Sequence, residues 1–148
     1  MAKVLLLHGP NLNMLGEREP EIYGHFTLQD IENAVRQPLE QAGHDCWCFQ
    51  SNSDGAMIDW LQETRPADFL LVNAGALTHT SLALRDAITA LALPFVEIHI
   101  SNVYKREPFR HHSYLADLAL GSIVGLGVKG YDLAVQFALD YLKEGRRS

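Results

Sequence analysis

Two cysteines in 148 residues cannot make the disulfide frame of a small secreted protein. Cys46 and Cys48 sit too close along the chain for an ordinary bridge, and the spacing is not the C-x-x-C of a redox or zinc motif. Two core thiols in a reducing cytoplasm is the simpler reading. Basic charge is also scarce: 12 Lys and Arg face 18 Asp and Glu, a formal net charge of −6. That excludes a general nucleic-acid surface. No run approaches the roughly 20 apolar residues of a membrane span. The apolar run Val4-Leu5-Leu6-Leu7 is too short for a signal peptide and reads as a strand. There is no repeat, linker or low-complexity segment, so residues 1–148 read as a single catalytic-sized domain.

What is present is an alternation of strands and helices. Lys3 to His8 is the first strand, and its unbroken apolar character suits a parallel sheet covered on both faces. Thr27 opens a helix, with Asp30 completing a capping box; Leu28, Ile31, Val35, Leu39 and Ala42 keep helical spacing, and Gly43 is its stop. Pro38 lies inside and should kink it or break a turn. His44 to Gln50 is strand two, and a helix follows the turn Ser51 to Gly55. Asp68 to Asn73 is strand three, and the next helix carries Leu84, Ala87, Ile88 and Leu91 inward. Strand four follows Pro94, a short helix fits Tyr114 to Leu118, strand five spans Leu120 to Leu126, and the last helix spans Tyr131 to Lys143.

This order predicts an α/β fold with a flavodoxin-like, doubly wound, five-stranded parallel sheet in the order 2-1-3-4-5. Ligands in such folds bind beyond the C-terminal strand ends, where strands one and three part. Three loops there carry the unusual residues: Asn11 to Tyr23, Asn73 to Ser81 and His99 to His112. The polar stretch from Glu17 to Gly24, bracketed by glycines, is a candidate mobile lid.

Strand four is the most informative stretch. Alternation puts Phe95, Glu97, His99 and Ser101 on one side and Val96, Ile98 and Ile100 on the other. Three polar groups on one side of an interior strand are costly unless something uses them. A carboxylate two residues before an imidazole favours the charged ring and fixes its orientation. A satisfied core histidine is the bland alternative.

Other patterns carry less. Gly125 to Gly130 matches G-x-G-x-x-G, but no later strand supplies the acidic partner, so it is a glycine-rich turn. Gly9 to Gly16 lacks the Lys-Ser/Thr of a phosphate loop. Seven histidines show no metal-ligand spacing; His8, His25 and His44 read as surface or strand-end residues. Ser81, His99 and Asp86 could be drawn as a triad, but no nucleophile elbow supports it. Arg18, Arg106 and Arg110 lie on two of the three loops, which suits a small anionic substrate such as a carboxylate. Tyr23 stands near Arg18. A tyrosine has an ordinary pKa of about 10, and lowering it by two units needs roughly 2.7 kcal/mol of preferential stabilisation.

Several motifs together carry a resemblance. They are Gly9-Pro10-Asn11-Leu12-Asn13-Met14-Leu15-Gly16, Arg18-Glu19-Pro20 with Tyr23-Gly24, and Gln50-Ser51-Asn52-Ser53-Asp54-Gly55. Thr78-His79-Thr80-Ser81, Leu84-Arg85-Asp86, Glu97-Ile98-His99-Ile100-Ser101-Asn102, Arg106-Glu107, Phe109-Arg110-His111-His112-Ser113 and Gly130-Tyr131 continue the set. In this register the chain resembles the type II 3-dehydroquinate dehydratases from first strand to last helix. The resemblance implies dehydration of 3-dehydroquinate to 3-dehydroshikimate through an enolate, with no cofactor, no metal and no imine. It implies Tyr23 as base, Arg18 and Arg106 as its cationic neighbours, and Asn11 as the group that positions a water at the enolate oxygen. His99 becomes the general acid, oriented by Glu97.

Asn73, Gly75, His79, Asp86, Ile100, Ser101 and Arg110 become the substrate-binding set, with Asp86 reaching a neighbouring subunit's site. The resemblance also implies a cytoplasmic homo-oligomer, with trimers assembled into a dodecamer. The family usually reads Asn-Pro-Gly-Ala-Tyr or Asn-Pro-Gly-Ala-Phe in the strand-three loop, where this chain has Asn73-Ala74-Gly75-Ala76-Leu77. Losing the proline loosens the loop, and losing the ring changes packing beside His79. Two other readings stay open: a catabolic role for the same reaction, and a flavodoxin-like binding module for a nucleotide or flavin.

Overall fold

The computed structural model describes residues 1–17 and 19–144, with backbone only at Ile22 and Tyr23. Five parallel strands form one sheet in the order β2-β1-β3-β4-β5. They are β1 (Lys3–His8), β2 (Asp45–Gln50), β3 (Phe69–Asn73), β4 (Phe95–His99) and β5 (Gly121–Val124). The predicted order is the observed one. Leu7 pairs with Val72, Val72 with Glu97, and Glu97 with Ser122, so one register line runs across four strands.

Alternation divides the core between the two faces of the sheet. Val4, Leu6, Phe69, Leu71, Val96 and Ile98 pack under α2 (Leu28–Gln41) and α5 (Lys129–Lys143), against Ile31, Val35, Leu39, Tyr131 and Ala134. Leu5, Leu7, Leu70, Val72 and Phe95 pack on the opposite face under α3 (Asp54–Glu63) and α4 (Leu82–Leu91), against Met57, Leu61, Leu84 and Ile88. Each fully buried leucine or valine contributes about 1.5–3 kcal/mol. The central strands are therefore rigid supports for the loops at their ends.

The Thr27 capping box forms as predicted: the Asp30 N–H donates to Thr27 Oγ1 at 3.1 Å and the Thr27 N–H to Asp30 Oδ2 at 3.0 Å. Pro38, in contrast, does not break α2, which continues to Gln41. The proline removes one helical hydrogen bond near the end of the helix, while Val35 and Leu39 anchor both sides of it in the core. No helix forms from Tyr114 to Leu118. Ser113 Oγ accepts from the N–H groups of Leu115 and Ala116, and the chain makes a single turn. Five residues are too few to sustain a helix without deeper packing.

Strand five is shorter than predicted, because Gly125 at φ 87 turns the chain. A Cβ on Gly125 would lie 2.9 Å from Asn102 Cβ, so this glycine serves a close crossing. The N–H groups of Gly125 and Gly127 donate to the carbonyls of His99 and Ile100, which ties the turn to the exit of β4. α5 starts two residues earlier than predicted. Gly130 within it lets the helix approach Ile123 Cγ2, which would sit 3.2 Å from an added Cβ.

Within the predicted lid, Pro20–Tyr23 forms a single helical turn, α1. Cys46 and Cys48 are free thiols on one face of β2, with sulfurs 3.9 Å apart. No described helix is long and apolar enough to cross a membrane.

Candidate active site

The three loops predicted to converge do so. A pocket at the C-terminal strand ends is lined by Pro10, Asn11, Leu12 and Leu15 after β1, and by Asn73, Gly75, Ala76 and His79 at and after β3. His99, Ile100, Ser101, Val103, Arg106 and Arg110 complete it from β4. The first two loops are pressed together: a Cβ on Gly9 would stand 2.1 Å from the Ala74 carbonyl oxygen, so no other residue fits there. The loop after β1 is also braced from β2. Gln50 Nε2 donates to the Gly9 carbonyl at 3.1 Å, and the Asn11 N–H donates to Asn52 Oδ1 at 3.0 Å. Asn11 holds φ 69, a left-handed conformation that asparagine tolerates.

The polar side of β4 is a hydrogen-bonded unit. His99 Nε2–H donates to Glu97 Oε2 at 2.8 Å. Ser113 Oγ donates to the same oxygen at 2.7 Å, and Ser122 Oγ donates to Oε1 at 2.9 Å. Glu97 is only 1% exposed. Burial alone would raise its pKa, but the bonds from His99, Ser113 and Ser122 outweigh that and hold the carboxyl below its usual range. The carboxylate therefore stays charged and keeps Nε2 of His99 protonated. His99 itself lines the pocket, and Nδ1 is the nitrogen left for chemistry. Nothing in the local sequence marked Ser113 and Ser122 as partners. Ser122 becomes recognisable only once the register puts it opposite Glu97.

His79 stacks near His99, with ring centroids 6.3 Å apart and planes at 18°. Its Nδ1–H donates to the His112 carbonyl at 2.8 Å. Burial, with His99 and Arg110 nearby, lowers its pKa, so the neutral ring offers Nε2 as an acceptor. Arg106 Nη1 donates to Ser101 Oγ at 3.3 Å, and Arg110 Nε donates to Glu107 Oε1 at 2.8 Å. Two guanidinium groups thus face a pocket that also offers amide, imidazole and hydroxyl groups. That set suits a small, hydroxylated anion.

Asn73 presents a fixed carboxamide: Oδ1 accepts from the Gly75 N–H at 3.1 Å, and Nδ2 donates to Tyr131 Oη at 3.0 Å. His8, read from sequence as a surface or strand-end residue, ends β1 but is wholly buried, with Nε2 2.9 Å from the same tyrosine oxygen. The Tyr131 ring of α5 reaches it, with ring centroids 5.6 Å apart. Among the described residues no cluster of three or more His, Cys, Asp or Glu side chains is placed to hold a metal ion. Ser81, considered above for a triad, caps α4 and donates to Asp54 Oδ2 at 2.7 Å instead.

A sequence model of the family described as Dehydroquinase class II matches residues 2–139. The chain belongs to the class II dehydroquinases. It is 54% identical over 147 residues to the 3-dehydroquinate dehydratase of Glaesserella parasuis, covering 99% of this chain and 100% of that one. It is 55% identical over 141 residues to the 3-dehydroquinate dehydratase of Haemophilus influenzae, covering 95% of each chain. The crystal structure of a type II dehydroquinase from Propionibacterium acnes superposes with a TM-score of 0.88 at 38% identity, over 95% of this chain and 97% of that one. The protein is therefore an enzyme with the dehydroquinase fold.

Most of the residues implied by the class II dehydroquinase resemblance meet in the pocket: Asn11, Asn73, Gly75, His79, His99, Ile100, Ser101, Arg106 and Arg110 line it, and Glu97 stands behind His99. Arg18 and the Tyr23 side chain lie outside the described residues. Asp86 does not line the pocket of its own chain; it is exposed on α4.

Proposed function

We propose that this enzyme removes water from 3-dehydroquinate to give 3-dehydroshikimate, by anti elimination through an enolate. The observation that carries the reading is the Glu97–His99 pair at the pocket wall, with Arg106 and Arg110 on the same loop. In this reading the Tyr23 phenolate takes the proton from the carbon beside the ketone. The electron pair moves onto the ketone oxygen as an enolate, which a water held by Asn11 stabilises by hydrogen bonding. The enolate then collapses, the carbon–hydroxyl bond breaks, and His99 delivers a proton from Nδ1 to the departing hydroxyl, which leaves as water. The proton on Tyr23 returns to His99 through solvent, closing the cycle.

The division of labour is one of charge. Glu97 holds His99, the proton donor, in place through Nε2, and Arg18 and Arg106 favour the phenolate form of Tyr23. Ser101 and the Ile100 N–H receive the substrate carboxylate with help from Asn73, while Asn73, His79 and Arg110 hold ring hydroxyls. Asp86 reaches the site of a neighbouring subunit in a trimer, with trimers assembled into a dodecamer in the cytoplasm. The reaction serves the shikimate route to aromatic amino acids; a quinate-degrading route would use the same chemistry.

Incubation with 3-dehydroquinate tests the reading through the ultraviolet absorbance of the conjugated enone product. Turnover should appear and should survive borohydride, since no lysine imine forms. Tyr23→Phe should abolish turnover while leaving binding nearly intact. Loss of turnover after borohydride treatment in the presence of substrate, or near-normal turnover in Tyr23→Phe, would overturn the mechanism.

A further inference from the structure

His8 and Tyr131 are buried polar residues beneath the pocket, and none of the steps above uses them. Tyr131 is 1% exposed and His8 0%. Neither lines the pocket, yet they join its wall through one side chain, Asn73.

The proton positions along this chain follow from the donors. Asn73 Oδ1 accepts from a backbone N–H, which fixes the carboxamide orientation and makes Nδ2 the group facing Tyr131. An amide nitrogen only donates, so Tyr131 Oη accepts from it. Tyr131 keeps its own proton, since burial raises its pKa well above the ordinary tyrosine value. If that proton goes to His8 Nε2, the only group left unmatched is the His8 Nδ1–H, and His8 Nδ1 has no partner among the described residues. If His8 Nε2 donated instead, both the Tyr131 proton and the His8 Nδ1 lone pair would be unmatched. The first arrangement leaves fewer buried groups unsatisfied. It also runs in one direction, amide to hydroxyl to neutral imidazole, so each bond strengthens the next.

We propose that His8 and Tyr131 are positioning residues for substrate binding: neutral His8 accepts from Tyr131, Tyr131 accepts from Asn73, and the Asn73 carboxamide is thereby held with one Nδ2–H free for the substrate carboxylate and one Oδ1 lone pair free for a ring hydroxyl. The inference rests on Asn73 binding substrate as proposed above. Without the tyrosine hydroxyl, the Nδ2 end of the amide has no partner among these residues, and the side chain can turn about its terminal bond. Binding suffers, while the acid–base groups at Tyr23 and His99 are untouched. Burial pushes the His8 pKa down to about 3, so the direction of the chain holds at neutral pH.

A double-substitution cycle on steady-state kinetics with 3-dehydroquinate tests this. Tyr131→Phe should raise KM about tenfold with kcat within about twofold of the parent. In an Asn73→Ala background the same change should move KM less than about twofold, because the group it positions is gone. His8→Leu should resemble Tyr131→Phe. His8→Gln, whose terminal oxygen reaches roughly where Nε2 lies, should restore most of the affinity. Equal effects of Tyr131→Phe on KM in both backgrounds, or a loss of thermal stability with no change in KM, would overturn the proposal while leaving the reaction assignment standing. A parent enzyme that does not turn over 3-dehydroquinate would overturn both.

Discussion

Ser122 lies directly across the parallel register from Glu97 and donates a 2.9 Å hydrogen bond to its Oε1. The other carboxylate oxygen takes His99 and Ser113, so the His99 imidazole and the edge strand share one buried charge. Hydrogen bonds to charged groups contribute about 1.5–3 kcal/mol. Ser122→Ala should therefore lower kcat about tenfold, with KM little changed, because Glu97 then loses a bond that fixes its carboxylate beside His99. Steady-state kinetics of the variant, read as kcat and KM separately, check this. Ser113 is a poorer probe, since it also caps the turn at Leu115 and Ala116.

His99→Ala removes the proposed acid. Loss of a general acid costs on the order of 100- to 10,000-fold in rate. Thermal unfolding of the variant should shift much less than the rate, since His99 faces the pocket as well as the core. A variant that unfolds before it loses activity would reassign His99 to a purely structural role.

Arg110→Ala should act on binding. Its guanidinium is held by Glu107 and faces the pocket, and it makes no bond to Glu97 or His99 among those described. A rise in KM with kcat nearly preserved is the expected pattern. Glu107→Gln should show a weaker form of the same change, because the arginine loses its brace but keeps its charge.

His8 makes stability depend on pH in a predictable direction. Its folded pKa of about 3 lies below the ordinary histidine value of 6.5. Between those values the unfolded chain binds one proton that the native chain refuses. Stability is thus fully present above pH 6.5 and falls as the solution is acidified toward pH 3, by about 1.4 kcal/mol per pH unit from this residue alone. Urea unfolding of the parent and of His8→Gln should therefore converge by roughly 2 kcal/mol between pH 6.5 and pH 5. Parallel curves would mean that His8 is protonated in the folded protein.

Ala74 has φ −79, within the range that proline imposes, and follows Asn73 in an extended strand. Ala74→Pro should stabilise the enzyme by about 0.4–1 kcal/mol by restricting the unfolded chain. Differential scanning calorimetry should show a melting temperature a few degrees higher. A decrease would mean that the Ala74 N–H is needed by the loop.

The strands were legible because continuous apolar runs such as Val4 to Leu7 have few other fates in an α/β chain. The capping box at Thr27 was legible because it is local. Pro38 and the Tyr114 segment show the limits of local pattern from opposite sides. Core contacts at Val35 and Leu39 carried a helix past a residue that local propensity disfavours, while too little packing left a helix-like pattern as a turn. At the site, Glu97 and His99 stood out through their alternation on one strand. Ser113 and Ser122 did not, since their roles exist only through contacts 16 and 25 residues away. The burial of His8 under Tyr131 spans 123 residues and leaves no mark on either neighbourhood.

The missing side chain at Gly9 couples the loops that follow β1 and β3. With the Ala74 carbonyl oxygen occupying the place where a Cβ would stand, neither loop can shift without displacing its neighbour. Even a methyl group there would wedge the sheet exit open and drive Asn11 and Asn73 apart. The spacing between the pocket-lining side chains of these two loops is thus governed by a backbone-to-backbone contact rather than by any side chain.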